Sequence, residues 1–190
     1  MMPRTIIGGL LGGLALYFVG FIFWGTPLAA LAYKSLPEAQ GAALQLAMAQ
    51  TLTTGGTGTY VVPNPATNAG TTLYGQGPVA TVHYNSGGFP VVDAGALAVT
   101  LVLALIAGLV IAFALAKVAR RSAEPSLAFR VGALFAIAIP LYLRLGDAFS
   151  NHFGLGYFAY GFVADAIGFV ACVAVISRFL RVAPAGRPID

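Results

Sequence analysis

Four stretches of the chain stay apolar for longer than a globular core helix requires, and polar residues gather between them. Thr5 to Tyr33 carries no charge. At about 1.5 Å of rise per residue, that run exceeds the roughly 20 residues needed to cross a hydrocarbon core, and it places a first span at 5–32. Arg4 ahead of the run and Ala30-Leu31-Ala32 within it also suit a secretory signal and its cleavage site. The apolar stretch is longer than a signal core, so it reads as an uncleaved anchor. A second uncharged run, Ala94 to Ala116, follows Asp93, a good N-cap residue, and stops at Lys117, Arg120 and Arg121. It gives a span at 93–117. The third, 127–150, holds Arg130 and Arg144 near its two ends, from where long side chains reach the headgroups. Pro140 is expected to kink it. The fourth, 155–180, is interrupted only by Asp165.

The segment between the first two spans, 33–92, has a different pattern. Ser35-Leu36-Pro37-Glu38 reads as a capping box with Ser35 as the cap. An Ala- and Leu-rich helix is expected from there to about Leu52, stopped by Thr53-Thr54-Gly55-Gly56. Two runs rich in β-branched and aromatic residues, Thr59 to Val62 and Val79 to Tyr84, predict the strands of a β-hairpin. Between them Pro63 to Pro78 is rich in Pro, Asn, Thr and Gly and reads as a connection. A helix plus a hairpin of this size can scarcely bury a core of its own. It is expected to pack onto the outer helix ends or onto a partner.

Composition agrees with a lipid solvent: 58% of the 190 residues are hydrophobic and 8% charged, where soluble domains carry about a quarter charged. The net charge of +4 does not point to nucleic acid, because only Arg120 and Arg121 are adjacent and no basic stripe forms. The basic residues act instead as topology signals. Arg4, Lys117, Arg120, Arg121, Arg130, Arg178, Arg181 and Arg187, eight of the ten, fall on one side of the four spans, and only Lys34 and Arg144 on the other. The positive-inside rule then puts both termini, the 118–126 loop and the 181–190 tail in the cytoplasm, and 33–92 outside. Tyr17, Phe18, Phe21, Phe23 and Trp24, with Tyr157, Phe158 and Tyr160, fit an aromatic belt at the outer interface. The expected fold is therefore an α-helical integral membrane protein, a four-transmembrane-helix bundle with a small α+β extracytoplasmic insertion.

Helices in lipid associate through small residues that allow close backbone approach. The first span has Gly8-x-x-x-Gly12 and Gly9-x-x-x-Gly13. The second places Ala96, Thr100, Ala104, Gly108, Ala112 and Ala116 at an unbroken four-residue spacing. These stripes predict tight helix contacts, within the chain or with another one. Asp165 shares a helical face with Gly161, Gly168 and Cys172, and Arg144 shares one with Gly132, Ala136 and Pro140. A charge inside a span is costly and usually faces the bundle interior, so an Arg144–Asp165 ion pair is expected, with Asp147 one turn from Arg144 as a third member. A structural pair is favoured over a proton relay. Cys172, alone in an apolar run, reads as a packing residue. His83 and His152, with Asp93, Asp147 or Glu38, are a weak candidate for an outer metal site, and no metal is assigned. No span has a histidine at mid-depth for a haem, and HExxH, GxSxG, P-loop and dinucleotide motifs are absent, so no cofactor is expected.

Ile6-Ile7-Gly8-Gly9-Leu10-Leu11-Gly12-Gly13, Ser35-Leu36-Pro37-Glu38, Gly58-Thr59-Tyr60-Val61-Val62-Pro63 and Gly77-Pro78-Val79-Ala80-Thr81-Val82-His83-Tyr84 occur in that order. Together they resemble a family of uncharacterised small bacterial inner-membrane proteins with one N-terminal span, an outer α+β segment and three further spans. The resemblance implies that architecture and no activity. Three functions are then weighed. The first is a non-catalytic accessory or structural subunit of a larger membrane complex, with lipids and other membrane subunits as partners. The second is a small homo-oligomeric carrier or proton-coupled channel using Asp165 and Arg144. The third and weakest is a membrane enzyme using His83, His152 and outer acids. The subunit reading is preferred.

Overall fold

A computed structural model describes residues 2–121, 124 and 126–180. It divides into two compact units, one of residues 1–34 and 94–190 and one of Ser35–Asp93. The first unit holds four helices long and apolar enough to cross a membrane, which makes this a multi-pass membrane protein. They are α1 (Met2–Trp24), α4 (Ala94–Arg121), the span Leu127–Ser150 and α7 (Leu155–Leu180). The third span is composite: α5 (Leu127–Pro140), a π-helical turn (Leu141–Leu145) and α6 (Gly146–Ser150).

α1 lies against both α4 and α7, and α5 packs on α7. The core combines small side chains with a few branched ones. Ala112, Leu115 and Ala116 of α4 meet Ala128 of α5 and Cys172, Val173, Ile176 and Leu180 of α7. Many other large residues point outward: Val110 is 64% exposed and Leu134 69%. A water-soluble bundle would invert that arrangement, whereas in lipid the apolar exterior costs nothing and helix contact depends on close packing.

The first span is shorter than expected. The helix ends at Trp24 rather than continuing to residue 32, and Pro27–Ala32 forms a 3₁₀ turn capped by Thr26. Gly25 and Pro27 explain the break, since glycine favours a helix stop and proline cannot donate to the preceding turn. α4 is longer than expected: it runs through Lys117 and Arg120 to Arg121, so the first half of the anticipated 118–126 loop is helical. Cationic residues in a last helical turn suit its negative dipole end. The expected 181–190 tail lies outside the described residues.

The second unit begins with α2 (Glu38–Leu52). Its predicted capping box does not form. Pro37, at φ −54° and ψ 144°, takes the cap position and no side chain caps the helix. Glu38 therefore stands at the first helical position, where it cannot reach back as a residue two positions further on would. The helix stops through a short 3₁₀ turn at Gly56, whose φ of +77° favours glycine. β1 (Gly58–Val62) and β2 (Ala80–Tyr84) pair antiparallel, with Thr59 opposite His83 and Tyr60 opposite Val82. They are not a simple hairpin. The Pro63–Pro78 connection contains a helix, α3 (Asn68–Gln76), that the composition concealed. Its signal is local: the Thr67 hydroxyl accepts from the Gly70 N–H at 3.0 Å, an N-cap followed by too weak an apolar pattern to read.

Candidate functional site

The sequence concentrates its chemistry on α7, and the structure places a charged partner there. Arg144 Nε donates to Asp165 Oδ2 at 2.7 Å. Each residue arrives by a different local device. On α7, Gly161 lies one turn before Asp165, and a Cβ added there would come 3.3 Å from Arg144 Nε and 3.4 Å from Cζ. The missing side chain is the bed on which the guanidinium lies. Gly168, on the other side of Asp165, receives Leu16 and Val19 of α1.

Arg144 belongs to the π turn that follows Pro140. Proline offers no N–H to the turn before it, and the backbone widens there. The widening has a geometric effect. Ala128, Gly132, Ala136, Pro140 and Ala148 are all buried, a strict four-residue stripe with Arg144 in register. At 3.6 residues per turn each four-residue step drifts about 40° around the axis. The π turn takes up about one residue's worth, roughly 100°, and so returns Arg144 and Ala148 towards the neighbour that α5 faces.

The pair is not sealed. The Arg144 side chain is 34% exposed and that of Asp165 27%. Among the described residues the terminal guanidinium nitrogens and the second carboxylate oxygen make no hydrogen bond. Asp165 stands ten residues into α7, about 15 Å of rise from its start, well inside a hydrocarbon core of about 30 Å. Asp147, expected as a third member, is engaged elsewhere: its Oδ1 accepts from Asn151 Nδ2 at 2.7 Å. The arrangement can hold two helices together and present spare donors and an acceptor to a third group.

The small-residue stripes are occupied within the chain. The tandem glycines of α1 present two adjacent faces. Gly9 and Gly13 face α4, where a Cβ on Gly13 would sit 2.5 Å from the Ala104 carbonyl oxygen and one on Gly9 3.0 Å from Ala112 Cβ. In return, a Cβ on Gly108 would collide with the Gly9 carbonyl and the Gly13 backbone. Gly8 and Gly12 face α7, against Phe179, Ile176 and the Cys172 carbonyl. Ala96 and Thr100, the first two members of the α4 stripe, are exposed.

At the opposite end of α1 from Arg4, aromatic rings interlock. Trp24 lies 5.1 Å from Tyr160, 5.7 Å from Tyr157 and 6.5 Å from Tyr33, ring centre to ring centre. The Tyr160 hydroxyl donates to the Phe23 carbonyl at 2.6 Å, capping a C-terminal helix carbonyl. Burial, then the neighbouring Tyr157, raises the Tyr33 phenol above its usual range.

The two histidines belong to different units. His83 Nδ1 hydrogen-bonds Thr59 Oγ1 across the strands at 3.0 Å, while His152 belongs to the other unit. No group of three or more His, Cys, Asp or Glu able to hold a metal occurs among the described residues. Two polar residues escaped the sequence reading: Thr5 and Ser177 are buried at 5% and 4% exposure. Short hydroxyl side chains carry no pattern that separates them from lipid-facing neighbours. Compared with protein-family models, with curated proteins and with solved structures, the chain matches none.

Proposed function

We propose that this protein is a non-catalytic accessory subunit of a larger membrane assembly, docking through its Ser35–Asp93 unit. One observation carries the reading: within that unit Gly70 is the only buried residue. Leu44 and Leu46 point to opposite sides of α2, yet they are 50% and 59% exposed, and only the stripe of Gly41, Met48 and Leu52 is half-buried. Phe89 is 69% exposed and Leu36 55%. The unit holds its shape by polar contacts, Thr53 Oγ1 to Tyr84 Oη at 2.7 Å and the Tyr60 hydroxyl to the Gly56 carbonyl at 2.6 Å. A segment with this much open apolar surface gains its burial from a partner. The α4 stripe from Ala104 to Ala112 is not available for docking, because α1 packs on it.

The distribution of Lys and Arg supports a location in a bacterial inner membrane with both termini cytoplasmic and the Ser35–Asp93 unit outside, as does the family resemblance of the sequence motifs. The test is gentle solubilisation from native membranes followed by native mass measurement. Stoichiometric companions that are lost in Leu44→Gln/Leu46→Gln, with bundle helicity retained, are the expected result. A chain that elutes alone, or with companions unaffected by those changes, refutes the reading. A second reading has its own observation. An incompletely satisfied Arg144–Asp165 pair beside a π turn is the kind of intramembrane charge that lines an ion path. A homo-oligomer whose proteoliposome ion flux disappears in Asp165→Asn would establish a carrier or channel instead.

A further inference from the structure

We propose that the groove between α4 and α5 holds one acyl chain of an anionic phospholipid, whose phosphate sits at Lys117 and Arg121. α4 and α5 are both neighbours of α7 but leave a gap between them of about 450 Å³. Ala107 and Ala114 of α4 and Gly132 and Ala136 of α5 line its walls, and Phe169 and Val173 of α7 form its floor. Among the described residues no polar one lines it, so water finds no hydrogen-bond partner on these walls. The small wall residues make a furrow rather than a flat face. From Ala107 to Leu115, or from Gly132 to Pro140, the furrow runs about 12 Å along the helices. One leaflet of hydrocarbon is about 15 Å deep, so the groove covers most of the length of a single chain.

Charge selects the headgroup. Ala107, Val110, Ala114, Lys117 and Arg121 follow one another at three- and four-residue steps, so both cations extend the groove-facing side of α4 past its end. Both are exposed, and neither forms an ion pair among the described residues. Arg130, the nearest cation on α5, is already neutralised by Glu124 at 2.9 Å. An apolar slot ending in two unpaired cations complements an acyl chain esterified to a negatively charged phosphate. A protein helix would need a matching stripe of its own and would gain nothing from the cations.

The experiment uses the full chain in detergent, titrated with phosphatidylglycerol or with phosphatidylcholine of the same acyl chains and read by native mass spectrometry and thermal unfolding. One retained phosphatidylglycerol per chain is expected, with phosphatidylcholine bound far more weakly. Lys117→Gln/Arg121→Gln weakens phosphatidylglycerol about thirtyfold, since each cation near an anionic headgroup contributes a factor of about five. That double change sits on exposed positions and leaves folding intact. Ala136→Phe fills the groove and abolishes the adduct, and Ala114→Leu serves if the larger change impairs folding. Equal retention of the two lipids, or adducts undiminished in both the cation and the groove variants, overturns the proposal. So does a dimer that forms without lipid and is broken by Ala136→Phe, which would assign the groove to a second copy.

Discussion

Replacing Gly13 by alanine tests the packing on which the bundle depends. A Cβ there would lie 2.5 Å from the Ala104 carbonyl oxygen and 2.7 Å from Leu105 Cα, whereas ordinary contact begins at 3.4 Å. The obstacle is backbone, so no rotamer change relieves it. α1 and α4 must separate by the shortfall of about 0.9 Å, and a gap of about that size forfeits a quarter to a half of the dispersion attraction across an interface. Overpacking of a filled site costs about 1–3 kcal/mol, and a rigid backbone obstacle belongs at the upper end, about 3 kcal/mol. Gly20→Ala is the internal control: nothing lies within 4 Å of a Cβ at that position, and alanine is the better helix former. The assay is unfolding of purified protein in mixed micelles with increasing denaturing detergent, followed by loss of tertiary signal. Gly13→Ala should unfold at markedly lower denaturant, Gly20→Ala at the same or higher. The double variant Gly13→Ala/Gly108→Ala should cost less than the sum of its parts, because both changes strain one contact. Equal midpoints for the two single variants would refute the close approach of α1 and α4.

Asp165→Asn and Arg144→Gln each leave one charge unpaired in the span. Breaking a fully buried pair costs about 3–5 kcal/mol. With about a third of each side chain exposed, a loss nearer 2 kcal/mol is expected in the same unfolding assay, and the double variant should recover part of it. Tyr160→Phe deletes the 2.6 Å bond to the Phe23 carbonyl and should cost about 1 kcal/mol, read as a lower thermal midpoint with unchanged helicity. The Glu124 carboxyl is held below its usual pKa of 4.5 by hydrogen bonds from Ser126 first and Arg130 second. The stabilisation from a depressed carboxylate is present above the unfolded value and is lost as pH falls through the folded one. A carboxyl NMR titration should therefore show a midpoint below 4.5 that rises in Ser126→Ala and also in Arg130→Gln, and unchanged midpoints would refute the contact.

The number of spans and their approximate places were legible in the chain alone, because the cost of burying charge in hydrocarbon leaves a one-dimensional record: uninterrupted apolar runs ended by Lys117, Arg120 and Arg121. The strands were legible for a similar reason, as Thr59 to Val62 and Val79 to Tyr84 are dense in β-branched and aromatic residues. Helix α3 was not, since a threonine cap followed by Asn, Gly and Thr resembles a loop until the hydrogen bond to Gly70 is seen. Nor was the failed capping box, where Pro37 imposed a backbone angle that shifted the helix start by two residues.

Other features were decided only in three dimensions. Spacing marked Gly8, Gly9, Gly12 and Gly13 as packing residues, but which neighbour each one meets depends on how α1 is rotated about its axis. That rotation put Gly9 and Gly13 on α4 and Gly8 and Gly12 on α7. Spacing also marked Arg144 and Asp165 as charges on small-residue faces. Their meeting at 2.7 Å required the π turn after Pro140, the missing side chain of Gly161 and the antiparallel approach of α5 to α7. Hydropathy registers the energy of each residue in lipid one position at a time. Contact between helices depends on relative rotation and offset, which no single segment encodes by itself.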